Sequence, residues 1–176
     1  MPLVKDGHIV ADRFTRVLDD APVPAEGAVL LPAERFLADA AELSQRAAET
    51  GVIWPNNRNI EELDPHLARL ACVALMFPSF RDGRAYSQAR ILRERFGYRG
   101  ELRATGQILR DQFVFLRRAG FDALEVKKDE DAVAYRDVMA RYTVFYQPTG
   151  DGRVTALRQR LAGDAAPKPA AKQICG

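Results

Sequence analysis

A chain of 176 residues, 47% of them hydrophobic, is long enough for one globular domain with a sizeable core. Its 26 basic and 24 acidic residues leave a formal charge of only +2, so the overall balance gives no ground for a nucleic-acid partner. No run approaches the roughly 18 apolar residues of a membrane span, and no apolar signal-like segment opens the chain, so a cytoplasmic protein without a membrane partner is expected. Cys72 and Cys175 form no CxxC pair, which argues against a disulfide framework, an iron–sulfur cluster or a zinc site, and no cofactor is expected.

Taken in order, Leu3–Val10 places Asp6-Gly7 between two short apolar runs, the pattern of a β-hairpin. His8 beside that turn and His66 have no ligand-spaced companions and read as surface residues. After the Pro22–Gly27 loop, Ala28–Leu31 is a continuous apolar run that fits a buried strand. Phe36, Ala40, Leu43 and Ala47 then mark one helical stripe between Ala33 and Thr50, and Val52–Trp54 reads as a second strand. Strand, helix, strand predicts a parallel pair with a right-handed crossover.

Ile60–Leu70 reads as an irregular or short helical connection. Leu70–Phe77 (LACVALMF) is the most apolar run in the chain and predicts a central strand, with Cys72 an inert core residue. A helix after Gly83 carries Ala85, Ala89, Leu92 and Phe96 on one face. Glu101–Ala104 is a short strand candidate, and Thr105 is expected to cap a helix from Gln107 to Ala119. Phe121–Val126 alternates as a strand near a sheet edge would. One more helix, with Ala132, Tyr135, Met139 and Tyr142 on a face, and a last strand at Val144–Tyr146 complete the order. The expected fold is therefore a single α/β domain over residues 1–162, a mostly parallel open sheet or truncated barrel built from βα units behind an N-terminal hairpin. Residues 163–176 read as a disordered tail, with Cys175 a stray thiol in preference to a sulfur carrier.

In such folds functional groups belong at the carboxyl ends of the strands. The stretch Phe77–Arg118 ends and begins strands there, and it holds ten arginines against four acids. Arginine outnumbers lysine 21 to 5 in the whole chain, which favours bidentate recognition of oxyanions over diffuse attraction. Two glycine turns, Arg81-Asp82-Gly83-Arg84 and Ala104-Thr105-Gly106-Gln107, precede helices, whose free N–H groups suit anions. Arg81, Gly83, Arg84, Arg103, Thr105 and Gly106 are accordingly the candidate binding residues, with Arg81, Arg84 and Arg103 expected to share one basic pocket. Asp82 is the candidate catalytic acid or base, against the alternative that it is a turn residue. Asp111 and Glu125 are further acids on that edge, and Tyr86 and Tyr98 read as packing residues.

The segments FPSFRDGRAYSQARILRERFGYRGELRATGQILRDQ and GFDALEV resemble the signature of a bacterial family known as domain of unknown function 934, over roughly Val29 to Pro148. Matching positions include Phe77, Phe80, Arg81, Asp82, Gly83, Arg84, Arg103, Gly106, Gln112 and Gly120. The resemblance implies an oxidoreductase or an accessory protein of sulfite reduction, associated with the sulfite/nitrite reductase haemoprotein. It brings no catalytic residues with it. Because reduction needs an electron carrier and no cysteine cluster, haem ligand pair or nucleotide loop is evident, an accessory protein binding the reductase or a small oxyanion is the first expectation. A small α/β enzyme acting on a phosphorylated or sulfated metabolite is the second.

Overall fold

The computed structural model of the protein describes residues 1–141, 144–149 and 153–163. Among them, eight strands build one sheet: β1 (Leu3–Lys5), β2 (His8–Val10), β3 (Phe14–Arg16), β4 (Ala28–Pro32), β5 (Thr50–Trp54), β6 (Leu70–Phe77), β7 (Glu101–Gly106) and β8 (Ala123–Glu125). Their lateral order is β2-β1-β8-β7-β6-β5-β4-β3. From β3 to β8 every pairing is parallel, while the β1–β2 hairpin joins β8 antiparallel. The helices are α1 (Ala33–Ala38), α2 (Ala40–Leu43), α3 (Arg84–Arg90), α4 (Phe113–Ala119), α5 (Glu130–Arg141) and α6 (Ala156–Gly163).

The pleat divides each strand between two environments. Val73, Leu75 and Phe77 of β6 share the main core with Leu102 and Ala104 of β7 and with Ala85, Ala89 and Leu92 of the following helix. Cys72 and Ala74 face the other way and pack with Phe14 and Leu30. That second face is concave. Strands β2 and β3 lie on opposite edges, yet only Ala11–Arg13 connect them. A flat eight-stranded sheet would hold its edges about 34 Å apart at the usual strand spacing. Three linking residues reach at most about 14 Å. The sheet must therefore curl into a half-barrel, and Arg16 on β3 accordingly touches Glu125 on β8. Close approach helps it curl: a methyl on Gly51 would lie 2.8 Å from Leu30 Cδ1 and 2.9 Å from Cys72 Cβ.

Several elements differ from the sequence expectation for local reasons. The helix expected over Ala33–Thr50 stops at Leu43, because Arg46 turns back to bond the carbonyls of Pro24, Gly27, Ala48 and Glu49 and leads the chain into β5. Ile60–Arg69, by contrast, is the expected short helical connection, wound as a ten-residue 3-10 segment. The helix expected from Gln107 begins only at a 3-10 turn over Arg110–Gln112, where the Gln112 side chain accepts from the Leu109 N–H at 2.9 Å. Thr105 is thus no helix cap. Strand β3, with Phe14 as its single apolar residue, has no sequence signal. Val144–Tyr146 supplies only an isolated bridge, Phe145 to Thr155. The expectations for Tyr142 and for the tail beyond Gly163 fall outside the described residues.

Candidate functional site

The alternation Glu101, Arg103, Thr105 along β7 aims three polar side chains into the half-barrel. Arg103 has no exposed side-chain surface, and each of its nitrogens is occupied. Nη1 donates to Asp12 at 2.7 Å and to Glu125 at 3.2 Å, Nη2 donates to Asp12 at 2.9 Å, and Nε donates to Glu101 at 2.8 Å. Lys5 donates to Glu101 from β1, and Arg16 donates to Glu125 from β3. The Thr105 hydroxyl donates to Glu125 at 2.6 Å. Three cations thus face three carboxylates. Burial pushes the Asp12 and Glu101 carboxyls up, but their bonds to Arg103, and to Lys5 for Glu101, outweigh it and hold both below their ordinary values. Burial opposes the charge on Arg103 as well, and the Asp12 and Glu101 bonds overcome it, so this guanidinium is held more firmly charged than usual. Burial, opposed by Arg103 and reinforced by the Glu101 and Asp12 carboxylates, pushes the Cys72 thiol far up, and its Sγ lies 3.7 Å from Glu101 Oε1, so it is a poor nucleophile.

This network corrects the expected pocket. Arg103 and Thr105 belong to the concave face and bond carboxylates, whereas Arg81, Gly83 and Arg84 lie in the exposed turn between β6 and α3. Strand alternation and saturation by acids remove Arg103 from any anion site. Arg84 donates to Asp82 through Nε at 3.0 Å and Nη2 at 2.6 Å, a bidentate pair within the turn. Asp82 also accepts the Arg84 N–H at 3.3 Å, the role of a turn residue. The Arg84 bond holds the Asp82 carboxyl well below the usual range. Such a carboxylate is a poor general acid or base at neutral pH. Gly83 has an ordinary φ of −87°, so the turn does not demand glycine there. Gly106 does, at φ +97°, with a Cβ position that would collide with the Phe77 carbonyl.

At the carboxyl ends of β6 and β7 the two loops are stitched together. The Gln107 N–H donates to Phe77 O at 2.7 Å, and Gln112 Nε2 donates to Phe80 O at 3.1 Å. Around this junction Met76, Phe80 and Leu109 remain 36%, 44% and 37% exposed. The Arg81 guanidinium stacks over the Phe80 ring at 5.4 Å. Next to it, Asn56 lies against Asp82 and helps hold it ionised, although its buried Nδ2 closes no well-formed hydrogen bond. Gln88 Nε2 donates to Pro55 O and Arg58 O, leaving its buried Oε1 without a partner. Tyr86 packs edge-on against Phe77 at 5.3 Å, and burial, followed by Asp111, pushes its hydroxyl up to about 12. Tyr98 donates to Leu70 O at 3.1 Å. Among the described residues no three His, Cys, Asp or Glu side chains are placed to hold a metal ion, and no helix is long and apolar enough to cross a membrane. His66 is half-buried, edge-on to Phe36 at 5.4 Å.

Sequence reasoning missed Lys5, Asp12 and Arg16 entirely, and it missed Gln88. The period-two spacing of Glu101, Arg103 and Thr105 is the one signal that points to a polar inner face. Fold and site together define a single-domain α/β protein whose curled, mostly parallel sheet encloses a charge-balanced network. Residues 51–157 match the family described as bacterial protein of unknown function (DUF934), and the chain belongs to that family. No curated protein matches the chain.

Proposed function

We propose that the protein is an accessory protein of assimilatory sulfite reduction that docks on the sulfite/nitrite reductase haemoprotein through the carboxyl edge of its sheet. The sulfite link follows from the family resemblance carried by the Phe77–Gln112 motif. The docking mode is supported by one observation: Met76, Phe80 and Leu109 stand exposed around a junction flanked by Arg81. Aromatic, methionine and arginine side chains are the residues enriched at the desolvated centres of interfaces. Arg81 adds a charge that suits an acidic patch on the partner, or a small oxyanion held at the junction.

The test uses the purified protein and the purified reductase in a direct binding measurement. A complex with a dissociation constant on the order of micromolar is expected, and Phe80→Asp or Arg81→Glu should each weaken it by about tenfold or more. No complex at about 100 μM of each protein would overturn the reading. A second reading, a small enzyme acting on a phosphorylated or sulfated metabolite, is favoured by the buried Asn56 amide, which lies against Asp82 without closing a well-formed hydrogen bond. In that enzyme Asp82→Asn should lower turnover by roughly two to four orders of magnitude. In the accessory protein it should leave reductase binding unchanged, because asparagine fills the same turn role.

A further inference from the structure

Beyond the carboxyl ends of β7 and β8, the loops that lead into α4 and α5 enclose a cleft of about 490 Å³. Parallel strands of an α/β sheet place their ligand sites at this end. Buried Ile108, Phe113 and Val126 line the cleft, and Leu109, 37% exposed, adds to this apolar wall. Its charged groups are Arg110, Lys127 and Lys128 against Asp111 and Asp131, so it is close to balanced. What marks it is which of these groups are already spent. Asp131 accepts the Lys128 backbone N–H at 3.1 Å, as a cap for α5, and also accepts from Arg110 Nε. Arg110 is thereby anchored through one nitrogen. Its terminal Nη1 and Nη2 close no hydrogen bond among the described residues, and its side chain is 53% exposed. The Lys127 and Lys128 ammonium groups are exposed and have no carboxylate partner among the described residues. Asp111, also exposed, forms an ion pair with none of the three cations.

We infer that this cleft binds a small molecule that joins an apolar body to a single phosphate-like head group. The volume lies within the roughly 300–1,000 Å³ of small-molecule sites, more than a lone oxyanion needs. An apolar body seated on Ile108, Phe113 and Val126 removes their surface from water, the non-directional part of the affinity. Direction comes from Arg110, whose free terminal nitrogens present the planar fork that matches phosphate oxygens bidentately. Because Asp131 already holds that side chain, less rotamer freedom is lost when it binds. Lys127 and Lys128, from the facing loop, supply donors to the remaining oxygens. A purely apolar ligand leaves these three cations unused, and a bare anion leaves the apolar wall wet. The cleft shares Leu109 with the docking edge but not Asp82 or Arg81. Ligand binding is measured on this protein alone, so it can fail while docking on the reductase holds, and the reverse.

The test is calorimetric titration of the full chain with phenyl phosphate, inorganic phosphate and phenol at constant ionic strength. Phenyl phosphate should bind with a dissociation constant below about 1 mM, and each of its halves at least about tenfold more weakly. The double variant Lys127→Glu with Lys128→Glu should weaken phenyl phosphate binding by about tenfold or more, while the unliganded melting curve stays in place. Both lysine side chains are exposed, so this loss of binding is not a loss of fold. Arg110→Gln should weaken it to a similar degree, and the lysine variant keeps the test decisive if releasing Asp131 disturbs α5. The proposal is overturned if phenyl phosphate does not saturate by about 10 mM. It is equally overturned if inorganic phosphate or phenol binds as tightly as phenyl phosphate, or if the double lysine variant keeps full affinity.

Discussion

The concave face of the sheet and its amino end both concentrate arginine, but they treat its charge in opposite ways. On the concave face Arg103 is enclosed by Asp12, Glu101 and Glu125, and three cations balance three anions. At the amino end Arg93 is bonded to three carbonyls and Asp122, whereas Arg99 is exposed and Arg117 reaches Asp6 only at 3.8 Å. A count of arginines in a segment says nothing about which regime each one enters. The number of carboxylates within reach decides it, and those carboxylates come from remote parts of the chain.

The largest expected effect tests the enclosed regime. Arg103→Met keeps the length of the side chain but leaves three carboxylates without their central cation. Removing one partner of a buried ionic cluster typically costs about 3–5 kcal/mol, so urea unfolding should show a loss of that order. Adding Glu101→Gln and Glu125→Gln to Arg103→Met should recover part of it, because the uncompensated charges are then gone. If Arg103→Met costs no more than a surface substitution, or the added changes worsen it, the cluster does not hold the fold and the contrast collapses.

The parallel core was legible because fully buried strands are continuous apolar runs, as Ala28–Leu31 and Leu70–Phe77 are. The curl was not. It depends on β3, where Thr15 and Arg16 follow Phe14 and no apolar pattern exists, and on three linking residues that cross between the edges. Arg103 stood in a strand whose alternation could be read, but its partners Asp12 and Glu125 are 91 and 22 residues away. Position within a turn motif could not tell Arg81, which faces solvent, from Arg103, which faces acids. Charge pairing across a curled sheet is a non-local property, and only closure of the sheet exposes it.

Thr105→Val sharpens the same comparison at smaller cost. It removes the hydroxyl that donates to Glu125 at 2.6 Å and keeps the shape. A hydrogen bond to a charged acceptor contributes about 1.5–3 kcal/mol, and a loss in that range should appear in the urea midpoint. A neutral result would mean that Arg16 and Arg103 already saturate Glu125.

Acid should weaken the concave face. Asp12 and Glu101 are held below their ordinary values of 3.8 and 4.5. Their contribution is therefore fully present above those values and is lost as the pH falls below them toward the depressed folded-state values. Stability measured from pH 7 down to pH 3 at fixed ionic strength should fall in that window. The double variant Asp12→Asn with Glu101→Gln should start lower and show a flatter profile there. An unchanged slope would assign the acid loss to other carboxylates.

The smallest effect belongs to the open regime. Arg99 is exposed in the loop before β7 and donates to no carboxylate among the described residues. Arg99→Ala should therefore change stability by no more than about 0.5 kcal/mol, the usual range for surface positions away from caps and networks. The sign carries the information. If like-charge repulsion between Arg99 and neighbouring arginines is felt, the variant should be slightly more stable, and more so at low ionic strength, because screening falls as the Debye length grows. A clear destabilisation would show that Arg99 has a structural partner and belongs with the enclosed arginines.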